Sequence, residues 1–146
     1  MDRIVLMKAQ TITPEEIFAE IGNARWSPND DAIVVETHLG ATLLLSPNTD
    51  QIAPTAVHVD EIRVPEALRR RGVATKALAD LCQLANKHHF ILEGGPVGWS
   101  NDPWSEKFVD WLHSFGFVRD PRFDDVPIED AAAFYVWRKP GHSSSR

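Results

Sequence analysis

Scarcity is the first thing to read in this sequence. A single cysteine, Cys82, stands among 146 residues, which excludes an internal disulfide framework and a cysteine-rich zinc site and suits a reducing compartment. No apolar run approaches the roughly 18 residues that a membrane span needs, and the opening MDRIVLMKAQ lacks the long apolar segment and small-residue cleavage site of a signal peptide. The expectation is a cytoplasmic protein with no membrane partner. Positive charge is short as well. With 15 Lys and Arg against 21 Asp and Glu, the formal net charge is -6, so the broad basic face that nucleic-acid phosphates require is missing. The six histidines show no H-x-x-x-H or similar spacing, and no metal site is expected. No repeat occurs, and the only low-complexity stretch is the terminal GHSSSR, read as a polar tail over 141–146.

What is present points to one compact domain over 1–140: 43% of residues are hydrophobic and 25% charged, enough for a real core. Ile4 to Ala9 suits a strand. Thr13, Pro14 and Glu16 supply a cap, a first-turn proline and a capping-box glutamate ahead of a helix over Glu15 to Ile21. WSPNDD (26–31) reads as loop. AIVVETH (32–38), a turn at Leu39-Gly40 and ATLLLSP (41–47) read as a hairpin, and AVHVDEIRV (56–64) as a third strand in succession. From Val73 to His88 the apolar residues Val73, Ala77, Leu78, Leu81, Leu84 and Ala85 recur at the spacing of one helical face. FILEGG (90–95) is a short strand. Asp102 and Pro103 can start a helix whose stripe is Phe108, Trp111, Leu112 and Phe115, with Gly116 as its stop. A strand at Phe117, an acidic loop and a strand over 133–139 complete an α/β chain of the α+β type, with a mixed, mostly antiparallel sheet flanked by helices.

Against the acidic total, RRRGVATKAL (69–78) concentrates cations where a helix begins. A helix start offers several backbone N–H groups without intrahelical partners and the positive end of the dipole. Gly72 removes the side chain where a ligand would approach, and Ala74 and Thr75 keep the next turn small. The inferred ligand is a polyphosphate. Neither G-x-x-x-x-G-K-[ST] nor G-x-G-x-x-G is present, so the nucleoside-triphosphate and dinucleotide loops are not matched.

What is matched is R-x-x-G-x-A, as Arg69, Gly72 and Ala74 at a strand-to-helix turn. This resembles the [QR]-x-x-G-x-[GA] turn of the GNAT superfamily of N-acetyltransferases. VPEALRRRGVATKAL is similar to that family's longer run around the turn, and WLHSFGF (111–117) to its later "FY-x-x-x-GF" run. The resemblance spans roughly residues 30 to 138. It implies a transfer of an acetyl group from acetyl-CoA to a small-molecule or peptide amine, by direct attack in a ternary complex. It also implies that the backbone around Arg69, namely Arg70, Arg71, Gly72, Val73, Ala74 and Thr75, holds the coenzyme A pyrophosphate, and that the main chain of Ile62, Arg63 and Val64 pairs with the pantetheine arm. One amide there would face the developing oxyanion.

A lysine-like amine, pKa about 10.4, costs about 4 to 5 kcal/mol to deprotonate at pH 7, whereas a thiol of pKa about 8.5 costs only about 2 kcal/mol to protonate. A base therefore matters more than an acid. The candidates for it are Glu61, slightly favoured, then His58 and Asp60, with alternation setting His58 and Asp60 on one face and Glu61 on the other. Where the family carries a tyrosine thought to protonate the thiolate, this chain has Leu112, and where it often has an asparagine, this chain has Ser105, which either bonds the pantetheine or caps its helix.

Cys82 falls on the apolar face and is read as core, as are Trp26, Trp111 and Trp137; Trp99 and Trp104 flank a loop that one of them lines as a pocket wall. Asp120, Asp124, Asp125, Glu129 and Asp130 read as solvated surface. Acceptor choice is assigned to loops 22–31, 94–104 and 120–132, which carry no motif. Two rivals follow from the same residues: a coenzyme A-binding or protein-interaction module that does not catalyse, from Leu112, and a nucleic-acid-modifying enzyme, from RRR alone, against which the acidity speaks. A homodimer stays open.

Overall fold

The computed structural model describes residues 13–48, 54–95, 99–100, 105–121 and 135–141. Thr13 caps the first helix, α1 (Pro14–Phe18), through the reciprocal capping box expected with Glu16. The helix is shorter than its sequence pattern. It stops at Phe18 because Glu20 N and Ile21 N turn to the i−3 carbonyls of Ile17 and Phe18, and the chain leads straight into a strand.

That strand, β1 (Gly22–Ser27), corrects the reading of 22–31 as an acceptor loop and of Trp26 and Ser27 as loop residues. GNARWS has little β propensity and no clean alternation, so nothing local announces it. Pairing with β2 (Ala32–Thr37) in the register Gly22↔Thr37 to Ser27↔Ala32 makes it. Gly22 is required at the closing pair, since a Cβ would collide with the Glu36 carbonyl and lie 2.9 Å from Thr37 Cα. On this strand, outermost of the described sheet, Trp26 is 49% exposed, not core.

β2 turns through Leu39-Gly40 into β3 (Thr42–Pro47), which pairs antiparallel with β4 (Ala56–Arg63). A crossover follows through a 3-10 turn at Glu66–Leu68 and the helix α2 (Val73–His88), as its stripe predicts. β5 (Ile91–Gly94) then pairs parallel with β4. The helix α3 (Glu106–Ser114) precedes β6 (Val118–Arg119) and β7 (Val136–Arg138); extended Ser105 is its cap, which corrects the start expected at Asp102 and Pro103. The described strands form a sheet in the order β1-β2-β3-β4-β5-β7-β6, antiparallel except for β4–β5. This is the expected mixed, mostly antiparallel α/β architecture, and among the described residues no helix is long and apolar enough to cross a membrane.

One sheet face carries the core. Ile33, Val35, Leu43, Leu45, Val57, Val59, Ile62 and Leu92 pack with Ile17 and Phe18 of α1, with Leu78, Leu81, Cys82 and Ala85 of α2, and with Leu112 of α3. Buried Arg138 ties this end together, donating to the Phe115 carbonyl at 2.6 Å and to Asn86 Oδ1 at 3.1 Å. Asp120, read as solvated, is 1% exposed, and its amide is bonded to the Tyr135 carbonyl at the end of the β6–β7 ladder. The expected strand at 4–9, Asp102, Pro103, Trp104, the other acidic-loop residues and the tail from 142 lie outside the described residues.

Candidate functional site

Between the end of β4 and the start of α2 the chain makes a sharp turn set by local geometry. Arg70 and Gly72 both take left-handed backbone angles, φ 67° and 74°, which fold the segment back sharply before the helix. For Gly72 this conformation is free of Cβ strain. A Cβ placed there meets nothing within 4 Å, so its absence leaves open space in front of the backbone. The first bond of the helix is Lys76 N to Gly72 O at 2.9 Å. The amides of Val73, Ala74 and Thr75 therefore precede the helical ladder, and no acidic residue in the first turn neutralises the dipole.

This turn borders a cavity of about 290 Å³, with Val64, Arg69, Arg70, Gly72, Val73, Ala74 and Thr75 on one side and Trp99, Ser100, Phe108 and Trp111 on the other. Phe108 and Trp111 stack at 5.4 Å, and Trp111 Nε1 donates to Thr75 Oγ1 at 2.9 Å. That bond leaves the Thr75 hydroxyl proton free to donate elsewhere. Arg69 is occupied locally, its Nε donating to the Val64 carbonyl at 3.3 Å. Arg71, Ile62 and Arg63 do not line the cavity. Ser105 does not either: its Oγ accepts from Phe108 N at 3.1 Å as the N-cap of α3, the plainer of its two readings, and so positions the helix that carries the aromatic wall.

Beside the cavity the sheet opens. The β4–β5 ladder runs Ala56↔Ile91, Val57↔Leu92, His58↔Glu93 and ends there, so among the described residues no strand pairs with that edge of β4 farther along. At the first unpaired position the Val59 carbonyl accepts from Trp99 Nε1 at 2.8 Å. Of the two tryptophans expected to flank this loop, Trp99 lines the cavity, and Trp104 lies outside the described residues.

On the opposite sheet face the base candidates come together in a way alternation does not give. Leu44 pairs with Glu61 and Leu45 with Val59, leaving Asp60 as the extra residue of a β-bulge. The bulge resets the period, so Ile62 joins Val57 and Val59 in the core while Glu61 shares the outer face with His58 and Asp60. The expected separation of Glu61 from the other two is overturned. His58 Nδ1 lies 2.6 Å from Asp60 Oδ1, and Ser46 Oγ donates to Asp60 Oδ2 at 2.8 Å. The Asp60 hydrogen bond raises the His58 pKa, against partial burial, and the charges of Asp60 and Glu93 push the same way. Glu61 is instead held by Arg63, Nε to Oε1 at 2.9 Å, on an exposed stretch.

Leu112 is 2% exposed in the core, so its position faces away from solvent. Cys82 is buried, and burial pushes its thiol up to about 11, which removes it as a nucleophile. The indole bond to Val59, the Thr75–Trp111 bond, the bulge and Ser46 were not readable from the sequence. Each is a contact between residues far apart in the chain or a change of register, and neither leaves a local pattern.

No family model and no characterised protein sequence matches the chain. Among solved structures, Ard1 from Thermoplasma volcanium superposes with a TM-score of 0.45 at 15% identity, over 76% of this chain and 71% of that one. Nourseothricin acetyltransferase superposes with a TM-score of 0.41 at 17% identity over 74% of this chain. The chain spans 64% of the length of that enzyme.

Proposed function

We propose that this chain is a GNAT-type N-acyltransferase that moves an acetyl group from acetyl-coenzyme A to an amine. The observation that carries the reading is the junction of two features: the left-handed Gly72 turn opening on its cavity, and the edge of β4 left unpaired beyond His58. The donor set fits the group. Amides ahead of a helical ladder suit a pyrophosphate, and a free strand edge suits an amide-bearing arm.

When bound, acetyl-coenzyme A would supply the acyl group in activated thioester form. Gly72, Val73, Ala74 and Thr75 offer backbone N–H groups to its phosphates, each contact worth about 1.5 to 3 kcal/mol. Arg70 and Arg71 add long-range attraction. Ile62, Arg63 and Val64 present main-chain groups on the open edge; Val64 O is shared with Arg69. His58 would take the proton from the amine at Nε2, with Nδ1–H donating to Asp60, as the amine nitrogen bonds the acyl carbon and the C–S bond breaks; coenzyme A would leave as the thiolate and be protonated by solvent. Asp60 holds the ring and stabilises the imidazolium, and Ser46 holds Asp60. Glu61, the favoured base on sequence grounds, yields to His58 because Arg63 engages its carboxylate.

Calorimetric titration with coenzyme A tests the site, and thiol release across a panel of amines tests the reaction. The reading fails if coenzyme A gives neither heat nor thermal shift and Arg71→Glu behaves as the parent. One alternative has its own observation: Leu112, sealed in the core, offers no proton where the resemblance expects an acid, which favours a coenzyme A-binding module that does not catalyse. Binding without thiol release over the whole panel would select it. The lone buried Cys82 supports a cytoplasmic setting.

A further inference from the structure

The strands β4 and β5 part after His58↔Glu93, yet the space between them is not an open channel. The indole of Trp99, 7% exposed, fills it. Three contacts fix that ring. Nε1 donates to the Val59 carbonyl at 2.8 Å, taking the acceptor that a continued ladder would have used. The ring packs edge-on against Phe117, itself fully buried, with centroids 5.6 Å apart. Gly94 admits it from the third side: a Cβ there would lie 2.8 Å from Trp99 Cζ2 and 2.7 Å from the Val59 carbonyl oxygen.

The cavity therefore has an anion-binding end at Gly72 and an apolar stop at the level of Val59. From Val64 back to Val59 is five residues of strand, roughly 15 Å. We infer that Trp99 is the specificity-determining residue for acyl length: the indole is a fixed wall that accepts an acetyl group and rejects longer acyl chains. The inference rests on the proposed function, because it takes the phosphates to be held at Gly72. Physically, a chain that outgrows the stop must either displace a ring held on three sides or turn back on itself, and rigid, fully packed walls resist such overpacking.

Calorimetry with coenzyme A and with its acetyl, butyryl, hexanoyl and octanoyl thioesters tests this on the intact chain. The parent is expected to bind coenzyme A and acetyl-coenzyme A alike and the hexanoyl and octanoyl thioesters at least about tenfold more weakly. Trp99→Leu, which shortens the wall, should bring the hexanoyl thioester to within about threefold of the acetyl one. Trp99→Phe keeps a ring against Phe117 without the bond to Val59 and should show the same relaxation in smaller degree, so a folding defect in the leucine variant does not decide the matter. Equal affinity for all chain lengths in the parent, or one unchanged profile in the parent and both variants, overturns the wall and leaves the coenzyme A site standing. Absence of binding by coenzyme A itself overturns both.

Discussion

His58 and Asp60 lie two residues apart on β4 and meet at 2.6 Å, Nδ1 to Oδ1, with Asp60 held from behind by Ser46. The contact decides which ring nitrogen remains open, and it lifts the imidazole pKa, since a bonded carboxylate favours the charged form. In the proposed reaction this ring accepts a proton at Nε2 and keeps its orientation while doing so.

The pH dependence follows with its sign. The base acts when neutral, so kcat/KM rises with pH through a midpoint above the ordinary histidine value of about 6.5. Asp60→Asn removes the carboxylate and moves that midpoint to lower pH while lowering the plateau, because the ring loses its orienting partner. A pH profile of kcat/KM for parent and variant checks this. An unmoved midpoint would remove His58 from the role.

Stability follows the same linkage. A folded-state pKa raised above the unfolded one contributes stability that is fully present below about 6.5 and is lost as pH rises through the folded value. Denaturant melts of parent and Asp60→Asn should therefore differ more at a pH of about 5.5 than at about 8.5.

His58 and Glu61 separate by substitution. His58→Gln is expected to lower the rate about 100-fold or more, the range for a general base, while Glu61→Gln stays within about twofold. Steady-state rates with one responsive amine decide between them, and the reverse ranking would return the role to Glu61.

Gly72→Ala tests the turn. At φ 74° a Cβ costs about 1 to 2 kcal/mol of backbone strain and projects into the space before the amides. The expected result is a modest fall in Tm with at least about a tenfold loss of coenzyme A affinity by calorimetry.

Leu112→Tyr does not restore an acid. The position is sealed in the core, so the larger polar ring overpacks it, with an expected loss of about 1 to 3 kcal/mol in a thermal melt and no gain in turnover.

The sequence by itself determined which segments become helices, the hairpin of β2 and β3, and the Gly72 turn, though not every helix end: α1 stops at Phe18 and α3 starts at Glu106. These are written locally: the Thr13–Glu16 capping box, the stripe from Val73 to Ala85, Gly72 and Gly116 as punctuation. Short-range periodicity and φ preference act within a few residues, so they are visible in a string. The tertiary structure decided what depends on a partner strand or a distant side chain. Only pairing with β2 turned GNARWS into a strand, with Trp26 left exposed. Only the bulge opposite Leu44 and Leu45 brought Glu61 onto the face of His58 and Asp60, since a single extra residue inverts every later side chain. And Trp99 closed the gap beside Val59, forty residues away along the chain, because a strand that loses its neighbour leaves a carbonyl that must find another donor.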